Sequence, residues 1–248
     1  MAGMLPNYFD GDVAKRYDDP EDAMFSPEVL GPTVDLLVDL ADGRAALELA
    51  IGTGRVGLPL SERGVPVHGI ELSEAMVKQL RAKPGAEKIA VTIGDMTSTR
   101  VEGSFGLAYL VFNTIGNVTT QDGQVAVFEN AAAHLEPGGC FLIETSVPIV
   151  RRLPPGERFA VFNHSDEHTG IDEYDVATQQ MWSHHYSSTD GETYHRRTIP
   201  FRYAWPAELD LMARIAGMRL RDRWADWDRS PFTGDSVKHV SVWEKVGG

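Results

Sequence analysis

The stretch Ala45-Ala-Leu-Glu-Leu-Ala-Ile-Gly-Thr-Gly-Arg55 constrains the fold more than any other part of the chain. An apolar run bearing one acid, Glu48, meets glycines at Gly52, Gly54 and Gly57, and a helix-compatible segment follows. A strand, a tight turn and a helix N-terminus in that order are where an open α/β sheet holds a nucleotide-like ligand. Lacking a Cβ, glycine lets the backbone turn sharply and approach such a ligand closely.

The spacing Gly52-x-Gly54-x-x-Gly57 satisfies the dinucleotide fingerprint, and Glu71 lies about twenty positions beyond Gly52, where that fingerprint expects a ribose acid. A nicotinamide- or flavin-dependent oxidoreductase is therefore one reading. Three features point elsewhere. Glu48 places an acid on a strand that a dinucleotide fold keeps apolar. Asp95 ends a second apolar run, Ile89-Ala-Val-Thr-Ile-Gly-Asp-Met96. Leu135-Glu-Pro-Gly-Gly-Cys-Phe-Leu-Ile-Glu144 reads as a helix end, a turn and a buried strand. Together, E-x-A-x-G-x-G at 48–54, Gly-Ile-Glu-Leu-Ser at 69–73, Gly-Asp-Met at 94–96 and Leu-Glu-Pro-Gly-Gly at 135–139 resemble the class I S-adenosylmethionine (SAM) methyltransferases, over roughly residues 40–145.

With 248 residues, 42% of them hydrophobic, one domain with a substantial core is expected. A net charge of −13 argues against a nucleic-acid binder, which needs a basic face for phosphates. The single cysteine, Cys140, excludes an intramolecular disulfide, and its apolar strand context marks it as a small core residue. Neither a signal peptide nor a membrane span is legible, so a cytoplasmic, membrane-free protein is expected.

Along the chain, helical spacing of Leu30, Val34, Leu37 and Val38 predicts a helix over 29–40. Strands are predicted at 45–50, 66–71, 89–93, 106–112 and 140–145, and helices at 56–63, 74–82 (N-capped by Ser73) and 122–135. Such alternation implies a parallel sheet with right-handed crossovers. Beyond Thr145, polar-aromatic alternation over 159–162, 176–186 and 194–205, with Asp190-Gly191 as a hairpin turn, predicts an inserted antiparallel sheet. A helix at 208–216 and two closing strands, 218–224 and 239–246, follow. The expected architecture is an α/β, doubly wound, mostly parallel sheet with a C-terminal antiparallel hairpin and an antiparallel β insertion after strand five. Within one domain, 1–248, this divides into an N-terminal lid segment and helix (1–44), a SAM-binding core (45–145), the inserted sheet (146–206), and the closing helix and hairpin (207–248).

The resemblance implies the cofactor contacts. Ala50, Gly52, Gly54 and Arg55 would form the turn whose amides face the carboxylate of the methionine moiety, aided by the helix dipole. Glu48 would accept from the ammonium through water or backbone. Glu71 would take both ribose hydroxyls, its two oxygens matching two donors. Leu72 would pack on the adenine, Asp95 would accept from the adenine amino group, and the Met96 amide would donate to a ring nitrogen. Asn113 would touch the methionine end, and Tyr17 would reach the cofactor from the lid. S-adenosylhomocysteine (SAH) would be the product.

On the acceptor side, a neutral amine needs little acid–base help, whereas a phenol or alcohol wants a base such as histidine. Tyr17, Asn117 and His184 are the catalytic candidates. Trp182, His184 and Tyr186 share one strand face by period-2 spacing, as do Phe201, Tyr203 and Trp205 on the next strand. These aromatics either close over an amine by cation–π contact or form the apolar side of the sheet, packed on the core or on a homodimer mate. The histidines at 164, 168, 184, 185 and 195 lack metal-ligand spacing, so no metal is expected. The layout is also similar to bacterial amino-sugar N,N-dimethyltransferases of antibiotic pathways, although Asn117 stands where His or Tyr is expected. The reading is a SAM-dependent methyltransferase acting on a nitrogen or oxygen of a small molecule, nitrogen favoured. The alternatives are a nicotinamide-dependent oxidoreductase and a SAM-binding protein without turnover.

Overall fold

A computed structural model describes residues 11, 13–14, 17–18, 26–188 and 192–247. Helix α1 (Pro27–Ala41) begins at the proline, whose missing N–H costs nothing in a first turn, and ends where Asp42 turns left-handed with φ 51°. Then come β1 (Ala46–Leu49), α2 (Gly57–Glu62), β2 (Val67–Glu71), α3 (Glu74–Arg81), β3 (Ala90–Ile93) and β4 (Phe105–Leu110). Helix α4 (Gln121–His134) and β5 (Leu135–Ser146) complete the parallel part. The predicted Ser73 cap is present: its hydroxyl accepts from the Met76 amide at 3.2 Å.

After β5 the chain makes four antiparallel strands, β6 (Phe159–His164), β7 (His168–Asp175), β8 (Gln180–Ser187) and β9 (His195–Arg202). It returns through α5 (Pro206–Ile215) and closes with β10 (Met218–Trp224) and β11 (Lys238–Lys245). The main sheet has the order β10-β11-β5-β4-β1-β2-β3, with β11 antiparallel to β5; the second sheet runs β6-β7-β8-β9. Sequence reading and structure agree on this mixed α/β plan. One face of the main sheet packs Leu37, Leu60 and Leu80 with Leu107 and Tyr109. The other packs Phe128 and Leu209 against Phe141 and Trp243.

Two boundaries differ from expectation. The Pro-Gly-Gly segment does not precede strand five but bulges from it: Phe105 pairs with Leu135 and Leu107 with Cys140, leaving residues 136–139 without partners in that ladder. The alternation over 176–186 is not strand throughout: the chain reverses at 176–179 and β8 starts at Gln180. The Asp175 carboxylate draws the turn together by accepting from the Ala177 amide and the Thr178 hydroxyl. The Asp190-Gly191 turn lies outside the described residues.

A buried clasp joins the second sheet to the helices. The Arg202 guanidinium donates to Gln124 Oε1 and Glu208 Oε1, each at 2.6 Å, and to Gln179 Oε1 at 3.3 Å. Gln124 donates in return to the Arg202 carbonyl at 3.0 Å and to that of Ile115 at 3.1 Å.

Candidate cofactor and acceptor sites

The glycine turn is built from left-handed backbone: φ is 55° at Ala50, 58° at Gly52 and 81° at Gly54. A side chain at Gly54 would also press on Leu58 and Leu80, with its Cβ 3.0–3.1 Å from their carbons. Beneath the turn, Glu48 is buried and its Oε2 accepts from the Tyr109 hydroxyl at 3.0 Å. Burial pushes its carboxyl up to about 8, a rise moderated by Tyr109, Arg55 and the Gly57 amide. Glu48 therefore reaches the turn from below, through the backbone at Gly57. A Cβ on Gly57 would lie 2.5 Å from its oxygen.

Glu71 ends β2 with both oxygens at the rim of the turn, Oε2 accepting from the Gly52 amide and Oε1 from the Ser73 amide, each at 2.8 Å. Burial raises its pKa. Half-buried Leu72 follows it. Past β3, Asp95 Oδ1 holds a tight turn by accepting from the amide and the hydroxyl of Thr97, each at 2.8 Å. The Met96 carbonyl is tied to Asn130 at 2.7 Å. Asp18 clips the N-terminal segment onto the glycine turn, accepting from the Thr53 hydroxyl at 2.6 Å and pairing with Lys83 at 2.6 Å.

The end of β4 is a sharp corner, with Phe112 and Asn113 both left-handed at φ 60° and 58°. Four bonds to β5 hold it, two of them short. Glu144 accepts from the Phe112 amide at 2.6 Å, and Asn113 Oδ1 accepts from the Ser146 amide at 2.6 Å. Arg55 lies 4.9 Å over the Phe112 ring, so the glycine turn and the β4 corner touch.

Beside this corner lies a cavity of about 830 Å³ between the ends of β4 and β5 and one face of the second sheet. Tyr17, Asn113 and Asn117 line it. His184 does not, and this corrects its candidacy. Strand β8 pairs Met181 with Phe201, Ser183 with Ile199 and His185 with Arg197, and all six line the cavity. The alternate row, Trp182, His184 and Tyr186, points to the opposite face, where His184 meets Glu173 at 3.2 Å and Thr198 at 2.9 Å. The two predicted aromatic rows are thus on opposite sides. Phe201 and Tyr203 line the cavity, while Trp205 caps α5. Period-2 spacing identifies which residues share a face; which face turns inward depends on register, and one residue of offset exchanges them.

The inward row carries residues that sequence reading passed over. His185 Nδ1 lies 3.1 Å from His168 Nε2, and Ser183 Oγ lies 3.3 Å from His185 Nε2. Burial, then Arg197 and His168, lower the His185 pKa, so its imidazole is neutral at pH 7. Asp172 and Tyr174 enter from β7, opposite Ser183 and Met181. The signal that could have found them is the polar Asp172-x-Tyr174 pair, in phase with Gly170 on one strand face.

The family profile described as methyltransferase domain matches residues 46–139. The structure of the CcbJ methyltransferase from Streptomyces caelestis is similar with a TM-score of 0.84 at 34% identity, over 95% of this chain and 96% of that one. The chain belongs to the SAM-dependent methyltransferases. The methyltransferase is also 24% identical to the cypemycin N-terminal methyltransferase of a Streptomyces species, over 97% of this chain and 98% of that one. A third relative is the dTDP-3-amino-3,4,6-trideoxy-alpha-D-glucopyranose N,N-dimethyltransferase of Streptomyces venezuelae, 30% identical over 42% of this chain and 43% of its own. The nicotinamide reading of the glycine pattern is set aside, since SAM is the cofactor of this family. The methyltransferase offers a site that fits SAM: a turn whose left-handed backbone carries Gly52 and Gly54, beside a buried two-oxygen acceptor at Glu71. Among the described residues, no group of three or more His, Cys, Asp or Glu could hold a metal ion. No helix of the described residues is long and apolar enough to cross a membrane.

Proposed function

We propose that this methyltransferase transfers the methyl group of SAM to a nitrogen of a small-molecule acceptor held in the cavity beneath the second sheet. The observation that carries this reading is the cavity itself. Its volume of about 830 Å³ suits a small acceptor, and its wall combines Phe201 and Tyr203 with the Asp172 carboxylate. The names of the cypemycin and amino-sugar relatives, both N-methyltransferases, point the same way. SAM supplies an electrophilic methyl on a sulfonium, so the chain's own work is to hold the acceptor in line with it and keep water out. Glu71, Leu72, Asp95 and the Met96 amide are assigned to the adenosine end. Ala50, Gly52, Gly54, Arg55 and Asn113 are assigned to the methionine end, with Glu48 supporting the turn from beneath. Tyr17 and Asn117, at the cavity floor, are assigned to positioning the acceptor nucleophile.

A second reading, O-methylation of a phenol, draws on His185, a neutral imidazole in the cavity wall able to accept a proton. Following SAH release from matched panels of aliphatic amines and phenols separates the two. Amines are expected to turn over. Activity confined to phenols, and lost in His185→Gln, would replace the nitrogen reading.

The Glu71 assignment has its own test. Glu71→Ala is expected to weaken SAH binding by about 10–100-fold by calorimetry, the size of one or two lost hydrogen bonds to a charged acceptor. Binding equal to the parent would show that the ribose lies elsewhere.

A further inference from the structure

We propose that the Asp172 carboxylate is the docking point for a protonated amine on the acceptor. The proposal rests on the reading of the cavity as the acceptor site and names the charge state of what enters it. Asp172 lies on β7 opposite Ser183, on the sheet face that roofs the cavity. Its Oδ2 accepts from the Tyr174 hydroxyl at 3.3 Å, a long bond. Its Oδ1 is buried and makes no well-formed hydrogen bond among the described residues; the Ser183 hydroxyl opposite is near enough only to offset part of the burial effect on its pKa. A buried acceptor without a donor is costly, and more so if charged, so such an atom in a cavity wall calls for a ligand that donates.

The charges around the cavity narrow the choice of donor. Arg202 is taken up by Glu208 and Gln124, and Lys238 by Asp226 at 2.7 Å. Arg151 and Arg152 donate to the carbonyls of Gly234, Ser236 and Asp235. Arg197 pairs across from His185, one strand further from Asp172, and is exposed. No cationic side chain therefore bonds Asp172, and burial raises its pKa. An ammonium group would supply both the charge and the N–H donors this carboxylate lacks, and the rings of Tyr174, Tyr203 and Phe201 line the same cavity to receive the attached carbon. Hydroxyl donors would satisfy the oxygen without compensating its charge.

The test uses benzylammonium as the probe and benzyl alcohol as its neutral counterpart, titrated calorimetrically into the full-length protein saturated with SAH. Saturable benzylammonium binding is expected in the parent and about 10–100-fold weaker binding in Asp172→Asn, which keeps the shape but removes the charge. Benzyl alcohol should bind both alike. Tyr174→Phe deletes the competing hydroxyl while leaving the carboxylate, so it should bind benzylammonium at least as well as the parent. Melting curves establish that each variant is folded. The proposal is overturned if the parent shows no saturable benzylammonium binding, if Asp172→Asn binds it equally, or if Tyr174→Phe loses as much as Asp172→Asn. Because no methyl donor is present, failure here is distinct from failure of the SAH-release assay.

Discussion

Arg202→Ala is expected to destabilise the protein by about 3–5 kcal/mol, the usual cost of removing one partner from a buried ion pair. The guanidinium is 5% exposed and Glu208 15%, so water screens the pair only weakly. Truncation takes the cation from the Glu208 carboxylate, which accepts from Arg202 at 2.6 Å and keeps only the neutral amides of Gln179 and Gln121. It also leaves Gln124 Oε1 without its donor inside α4. For a chain of this length the loss corresponds to a fall in Tm of roughly 6–20 °C. Arg202→Lys retains the charge but not the fork, so it should recover only part of the loss. Thermal and urea denaturation of both variants checks this. A loss below about 1 kcal/mol would mean that the clasp is an ordinary surface ion pair.

The second large effect is on pH dependence. Glu48 has its carboxyl raised from 4.5 to about 8 by burial. Between those values the unfolded chain ionises while the folded chain keeps the proton, so the native state binds more protons. Stability from this group is therefore complete below about pH 4.5, falls as pH rises, and is lost above about 8. At about 1.4 kcal/mol per pH unit, the upper bound across that window is roughly 5 kcal/mol. Glu48→Gln keeps an acceptor for Tyr109 but cannot ionise. Its stability relative to the parent should climb steadily from pH 5 to pH 8, measured by urea unfolding of cofactor-free protein. Parallel profiles for the two proteins would refute a neutral Glu48.

The parallel core was legible because its signals are local. The glycine turn, the Ser73 cap and the apolar runs around Leu47, Leu107 and Leu142 each declare themselves within a few residues. Glu71 and Asp95 stand out in the sequence because each ends such a run. The cavity was not legible, since its wall depends on pairing between β7, β8 and β9. His184 and His185 are adjacent in sequence, and only the register of β8 against Ile171 and Gly170 decides which one faces inward. Arg202 carried no sequence signal either, because its partners, Gln124 and Glu208, come from two helices on either side of it in the chain.

The corner at Phe112 and Asn113 bears on how the wall of the cavity can vary. Its backbone is fixed by β5, through Glu144 and Ser146, and not by the inserted sheet. The inserted strands meet the core at the Arg202 clasp, through Gln180, which donates to the Thr119 carbonyl at 2.8 Å, and across an open cavity. Substitutions within residues 159–202 can therefore reshape the cavity roof while the backbone of the β4 corner stays in place, provided a matching partner for Gln124 and Glu208 is kept.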